Sequence, residues 1–136
     1  MPYLRIYDIF IAHVWDYNDD YHRLVGLLDN AANFSWRNYS VPEHDPLGGG
    51  SDARLRAEID KQIRPVHVVL ALSGVYASHR DWIQEELTMA SAYGKPIVGL
   101  YPWGNQRGSA VVQRHAVEMV NWSTVSIVDA IRRHAL

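Results

Sequence analysis

The stretch YDIFIAH at residues 7–13 is typical of a β-strand, and its central positions are apolar without alternation. Because both sides of such a strand need cover, the pattern predicts a central strand of a parallel sheet with helices on both faces. Further apolar runs at residues 66–72 and 97–101 predict two more strands. Shorter segments at residues 34–38 and 119–122 complete a predicted set of five strands.

Helical patterns fill the intervals between these strands. The predicted helix caps are Asp19 or Asp20 for the first helix, Ser51 or Asp52 for the second, Gly94 at the end of the third, and Ser126 at a capping-box-like start of the last. A short fourth helix is predicted near residues 111–115. Strand and helix alternate about five times, so the sequence predicts a single α/β domain over residues 1–136 with a parallel sheet.

Composition and charge argue against several classes of protein. The formal net charge of −2 and the lack of a basic stripe give no reason to expect nucleic acid as a partner. The chain has no cysteine, which excludes disulfides and cysteine-based zinc sites. No apolar run approaches the roughly 18 residues that a membrane span needs, and residues 1–5 lack a signal-peptide pattern. We therefore expect a soluble cytoplasmic protein without a membrane partner.

Glu86 occupies an unusual position in the predicted third helix. Helical spacing puts Ile83, Glu86, Leu87 and Ala90 on one face, in the slots that normally point toward the core. Glu85 is rotated by about 100° from Glu86, toward a face that can reach water. An inward carboxylate near the end of a buried strand is costly for stability and useful for chemistry. An internal salt bridge or a rotated, exposed helix are the alternative interpretations.

The predicted loops after the strands carry the residues suited to a ligand. In an open parallel sheet, ligands bind beyond the carboxyl ends of the strands, where the strand order reverses. The loops at that edge, residues 13–18, 39–50, 73–80 and 102–108, are rich in aromatic and polar side chains that can stack on a base or hold ribose hydroxyls. The same composition is also typical of ordinary loops. No HxxxH, HExxH, P-loop, GxGxxG or GxSxG pattern occurs, so no metal site or serine hydrolase is predicted.

Several segments resemble the TIR (Toll/interleukin receptor) family, in the family's order along the chain. Residues 7–13 resemble its opening strand, and residues 70–78, LALSGVYAS, resemble its third strand and the following turn. Residues 82–87, WIQEEL, resemble the helix motif Trp-x-x-x-Glu-Leu, and residues 95–98, KPIV, resemble the start of the fourth strand. Ala12 departs from the serine that many members carry. The resemblance implies a flavodoxin-like three-layer sandwich around a five-stranded parallel sheet.

The resemblance also implies a set of site residues, with NAD as the substrate and no separate cofactor. Glu86 matches the glutamate that is catalytic in NAD-cleaving members. The implied substrate-binding residues are Trp82 four residues earlier, His13, Val14 and Asp16 at the end of the first strand, Tyr39 before the long loop, and Ser73 after the third strand. From the residues alone, His13 is equally compatible with a histidine that only completes local hydrogen bonds.

Residues 12–17 and 76–82 look like the small bacterial TIR-like branch found in Thoeris anti-phage defence. The resemblance to that branch implies cleavage of the nicotinamide glycosidic bond and synthesis of a cyclic ADP-ribose isomer that activates an effector. It also implies self-association or contact with other TIR domains. One alternative is a non-catalytic TIR module that binds proteins. A third interpretation is a deoxyribosyltransferase-like enzyme that uses its glutamate on a nucleoside.

Overall fold

A computed structural model describes residues 5–12, 19–40, 52–72, 81–101 and 110–136. Within these ranges strands and helices alternate, as the sequence predicts. The elements are β1 Ile6–Ala12, α1 Asp19–Asp29, β2 Ser35–Asn38, α2 Asp52–Ile63, β3 Val68–Leu72, α3 Asp81–Ala92, β4 Ile97–Leu100, α4 Ala110–His115, β5 Glu118–Val120 and α5 Thr124–His134.

The five strands form one sheet in the order β2-β1-β3-β4-β5, and every neighbouring pair is parallel. This is the strand order of flavodoxin-like folds, so the predicted fold class is confirmed. All of β1 after Ile6 is buried, as are β3 and β4. The continuous burial of these strands follows from helices on both faces of the sheet.

The first face of the sheet packs against α1 and α5. Leu24 and Leu28 of α1 and Ile127 and Ile131 of α5 belong to the same core cluster as Ile11 of β1. Each of these side chains is fully buried or nearly so. A buried aliphatic side chain of this size contributes about 1.5–3 kcal/mol relative to an exposed one, so the two helices are held mainly by this apolar contact.

The second face packs against α2, α3 and α4, and it carries a row of small residues. Ala12 of β1 pairs with Ala71 of β3, and Ala71 pairs with Gly99 of β4. At Gly99 an added Cβ would meet the side chains of Met119 and Val112, the latter at 2.9 Å. Glycine is therefore required there for these side chains to reach the sheet. On the same face, α3 contacts both β1 and β4, since the small residues between them allow a close approach.

Most of the predicted element boundaries agree with the structure to within two residues, and Gly94 has the expected positive φ of 71°. The predicted cap at Ser126 is wrong. α5 is capped by Ser123, whose hydroxyl accepts the N–H of Ser126 at 3.0 Å. Ser123 has the extended backbone of an N-cap residue, which leaves its side chain free to turn back onto the first turn. The predicted fifth strand also ends earlier, because Trp122 leaves the sheet and donates its indole N–H to the Tyr101 carbonyl at 2.6 Å.

Candidate active site at the carboxyl edge of the sheet

Glu86 faces the interior of the protein, as its helical register predicts. It is 2% exposed, and the three apolar residues that share its face, Ile83, Leu87 and Ala90, are equally buried. Glu85 lies on the outer side of α3, where its carboxylate pairs with Arg56 of α2 at 2.7 Å. The interpretation of a rotated helix with Glu86 exposed is therefore wrong. The two neighbouring glutamates have opposite environments, and only Glu86 is withdrawn from water.

The carboxyl group of Glu86 has a raised pKa and an unsatisfied oxygen. Burial lifts its pKa well above the ordinary value of 4.5. Among the described residues, Glu86 Oε1 has no hydrogen-bond partner. Asp8 is also buried but pairs with Arg37, whose Nε donates to Oδ1 at 2.6 Å and whose Nη2 donates to Oδ2 at 3.1 Å. No comparable cation accompanies Glu86 in the part of the chain described here, so the internal salt bridge considered for it is not observed there.

The position of α3 puts Glu86 close to the point where the strand order reverses. β1 connects to β2 on one side of the sheet, whereas β3 is followed by β4 on the other, so the reversal lies between β1 and β3. α3 begins beyond the carboxyl end of β3, and Glu86 lies about 7.5 Å along its axis at 1.5 Å per residue. Crevices at this reversal are the usual ligand sites of such sheets. The arrangement brings a buried carboxyl group, whose Oε1 has no hydrogen-bond partner among the described residues, to the edge where a ligand is expected.

Tyr39 lies on the same side of the sheet as Glu86. Its N–H donates to the Ile9 carbonyl at 2.8 Å, which continues the pairing of β2 with β1 by one residue. The partly buried ring packs against the core cluster that contains Phe10, Ile83 and Leu87. Its contact with substrate remains a prediction.

Ser40 is a residue near the site that the sequence interpretation missed. Its hydroxyl accepts the N–H of Ile11 at 3.0 Å, and its own N–H donates to Asn38 Oδ1 at 2.9 Å. Asn38 in turn donates its amide N–H to the Tyr21 hydroxyl at 2.8 Å. These bonds anchor the chain beside the carboxyl half of β1. An Asn-x-Ser pattern that begins at the last residue of a short strand is the available sequence signal, because both side chains readily bond nearby backbone groups.

The structure does not describe the side chains of the remaining predicted site residues. His13, Val14, Asp16 and Ser73 lie outside the described residues. Trp82 lies in the first turn of α3, four residues before Glu86, and its side chain is not part of the description. The roles of all five therefore stay predictions.

The described residues show no metal site and no membrane-spanning helix, and one groove lies apart from Glu86. Within the described ranges, His, Asp and Glu residues form no group of three or more that could hold a metal ion. None of the described helices has the length and apolar character needed to cross a membrane. An open groove of about 420 Å³ follows the outer face of α3 and is lined by Gln84, Glu85, Thr88, Met89 and Ala92. Glu86 does not line this groove, so the groove is distinct from the candidate site around Glu86.

The fold and this carboxylate define a flavodoxin-like α/β domain with a candidate site at the β1/β3 reversal. The family model described as "Thoeris protein ThsB, TIR-like domain" matches residues 10–107, and the chain belongs to this family. The matched span includes Glu86 and every predicted substrate-binding residue. The predicted family is thereby confirmed.

Two solved structures share the fold at low sequence identity. The CMP N-glycosidase BcmB of Clostridium botulinum is 14% identical, with a TM-score of 0.55 over 93% of this chain and 98% of that one. A prokaryotic SEFIR domain is 10% identical, with a TM-score of 0.51 over 93% of this chain and 94% of that one. These similarities concern the fold alone. No match was found among curated protein sequences.

Proposed function

We propose that this protein cleaves the nicotinamide glycosidic bond of NAD in anti-phage defence, with Glu86 as the catalytic residue. The observation that carries the proposal is the buried carboxyl group of Glu86, whose Oε1 has no hydrogen-bond partner among the described residues and which lies near the edge where sheets of this kind bind ligands. A carboxylate in this state is costly for the fold, and such groups cluster at functional sites. Membership in the Thoeris TIR-like family supports NAD as the substrate.

The chemistry requires little more than a well-placed negative charge. The nicotinamide of NAD is a cationic leaving group, so its departure needs no general acid. The ribose left behind has oxocarbenium character, which a nearby carboxylate stabilises by charge and by hydrogen bonds to the sugar hydroxyls. The raised pKa of Glu86 favours the neutral form of its carboxyl group. The positive charge of the nicotinamide ring of bound NAD would lower that pKa and favour the carboxylate when it is needed.

The proposed product is a cyclic ADP-ribose isomer. After nicotinamide leaves, attack on the ribose by a nucleophile of the same molecule gives a cyclic product, whereas attack by water gives ADP-ribose. Exclusion of water from the site therefore favours cyclisation. The cyclic product would diffuse to a partner effector and activate it. Self-association or contact with other TIR domains would complete the site, so activity would rise with protein concentration.

The direct test is incubation of the purified protein with NAD, over a range of protein concentrations. Nicotinamide and the nucleotide product are measured by mass spectrometry, and lysate from phage-challenged cells provides a second source of enzyme. Glu86→Gln should abolish nicotinamide release. Glu85→Gln changes the neighbouring carboxylate on the outer face of α3, and it should retain far more activity than Glu86→Gln. Normal turnover by Glu86→Gln would exclude the proposed mechanism.

Two further arms of the same assay separate the alternatives. A protein-binding TIR module would consume no NAD at any concentration, and its partner binding would be insensitive to Glu86→Gln. The fold shared with a CMP N-glycosidase makes CMP the second substrate to offer. Release of cytosine from CMP without cleavage of NAD would favour a nucleotide N-glycosidase. Base exchange between nucleosides would favour the deoxyribosyltransferase-like interpretation.

A further inference from the structure

An ion pair between α2 and α3 lies one residue away from Glu86. Arg56 Nε donates to both carboxylate oxygens of Glu85, at 3.0 and 3.1 Å, and Arg56 Nη2 donates to Oε2 at 2.7 Å. Each partner is the fifth residue of its helix, since α2 begins at Asp52 and α3 at Asp81. The bridge therefore joins the two helices at the same height, near the edge of the sheet that carries Glu86.

A second link joins the same helices at their other ends. Arg64 Nε donates to the Tyr93 hydroxyl at 3.1 Å, and that hydroxyl donates to Asp60. Arg64 and Tyr93 directly follow the last residues of α2 and α3. In both links the arginine precedes its partner by 29 residues, so the helices run side by side in one register. The chain thus provides a link near Glu86 and a chemically related one far from it.

Stabilising interactions are needed to keep the side chain of Glu86 facing inward. A buried carboxyl group with an unsatisfied oxygen gains hydration when its helix turns outward. The apolar residues on its face resist this movement, and a polar contact on the outer side of the helix adds to that resistance. Rotation of α3 that carries Glu86 toward water also carries Glu85 away from Arg56, because both glutamates are fixed to one helix. A planar guanidinium with several bonds to one carboxylate restricts that rotation more strictly than a single contact.

We propose that Arg56 is a positioning residue, which fixes the rotation of α3 through Glu85 and thereby holds Glu86 at the site. The activity readout for this inference rests on the proposed function. Loss of Arg56 should allow α3 to turn and should misplace the carboxylate relative to the ribose. Misplacement of a catalytic group affects the chemical step more than substrate affinity, so the effect belongs in kcat.

The test compares variants at the two helix links. Arg56→Ala should lower kcat for nicotinamide release by about tenfold or more, with KM little changed. Exchange of the two charges, Arg56→Glu with Glu85→Arg, should restore most of the lost kcat, and Arg56→Lys should retain an intermediate value. Arg64→Ala is the matched control at the distant link and should keep kcat near that of the wild type. Wild-type kcat in Arg56→Ala, or an equal loss in Arg64→Ala, overturns the proposal.

Hydrogen exchange gives a readout that does not depend on activity. A surface ion pair contributes little to the free energy of unfolding, so Arg56→Ala should leave the melting temperature almost unchanged. Backbone amides of residues 83–87 should nevertheless exchange faster in Arg56→Ala than in Arg64→Ala. Unchanged exchange in Arg56→Ala contradicts the positioning role. If the wild-type protein releases no nicotinamide, the proposed function fails, whereas the exchange experiment still decides whether Arg56 fixes α3.

Discussion

Glu85 and Glu86 are adjacent in sequence, yet one carboxylate is bound by Arg56 on the outer side of α3 and the other is 2% exposed beneath it. The contrast follows from the 100° step of the helix, which puts neighbouring side chains on different faces. Glu86 takes a slot that suits an aliphatic residue, between Ile83 and Leu87. The position therefore costs stability, and the proposed function gives it a catalytic role; the two can be measured separately.

Replacement of Glu86 by Leu should stabilise the protein by about 1–3 kcal/mol at neutral pH, because it removes a buried carboxyl group whose Oε1 has no hydrogen-bond partner among the described residues. The folded-state pKa of Glu86 is raised above its unfolded value of 4.5. Glu86 therefore costs the fold least below pH 4.5, where it is protonated in both states, and its cost grows as the pH rises toward the folded pKa. Urea denaturation should show that Glu86→Leu raises the free energy of unfolding, relative to the wild type, more at pH 7.5 than at pH 4.5. A gain that is equal at both pH values would contradict the assigned pKa shift.

His67 should make the fold sensitive to mild acid. Its Nδ1 accepts the N–H of Asp8 at 3.0 Å, which requires that nitrogen to be unprotonated. Burial, followed by the charge of Arg5, lowers the pKa of His67 below 6.5, with Lys95 and Arg37 acting in the same direction and Asp8 opposing them. The contribution of neutral His67 is present above pH 6.5 and is lost as the pH falls through the folded pKa.

The measurement for His67 is the melting temperature of wild type and His67→Asn between pH 7.5 and pH 5. The asparagine carbonyl can replace Nδ1 as the acceptor but does not titrate in this range. We expect the wild type to lose stability toward pH 5 more steeply than the variant. Parallel curves for the two proteins would show that His67 does not control this response.

The pattern of apolar residues was sufficient to predict the order of elements and the register of α3. The run at residues 7–13 predicted a buried central strand, and helical spacing separated Glu86 from Glu85. Both inferences depend on local periodicity, which a single sequence displays directly. NAD as the proposed substrate does not follow from periodicity, and it rests on the resemblance to TIR domains.

Contacts between distant residues could not be predicted in the same way. Arg56 and Glu85 are 29 residues apart, as are Asp8 and Arg37. Neither spacing predicts an ion pair. Such pairs depend on which strands and helices become neighbours in space. The bond from Asp8 to His67 likewise exists only because β1 and β3 are adjacent in the sheet.

Gly99 and Gly26 should respond in opposite directions to replacement by alanine. A Cβ at Gly99 would collide with Met119 and Val112, so Gly99→Ala should destabilise the protein by about 1–3 kcal/mol. Gly26 lies within α1 with no atom within 4 Å of an added Cβ, and Gly26→Ala should stabilise by about 0.5–1 kcal/mol. Chemical denaturation measures both effects. Combining Gly99→Ala with Val112→Ala should cost less than the sum of the two single changes, and full additivity would argue against the collision.

The start of α5 offers a test of the corrected helix cap. Ser123 caps the helix through its hydroxyl, whereas Ser126 contributes only its backbone N–H to that bond. Ser123→Ala should therefore destabilise the protein by about 0.5–2 kcal/mol, since it leaves an N–H of the first turn without its acceptor. Ser126→Ala should be neutral or slightly stabilising, because alanine is the better helix former and the capping bond is kept. Urea denaturation of both variants decides between the two caps: a larger loss for Ser126→Ala would restore the cap predicted from the sequence.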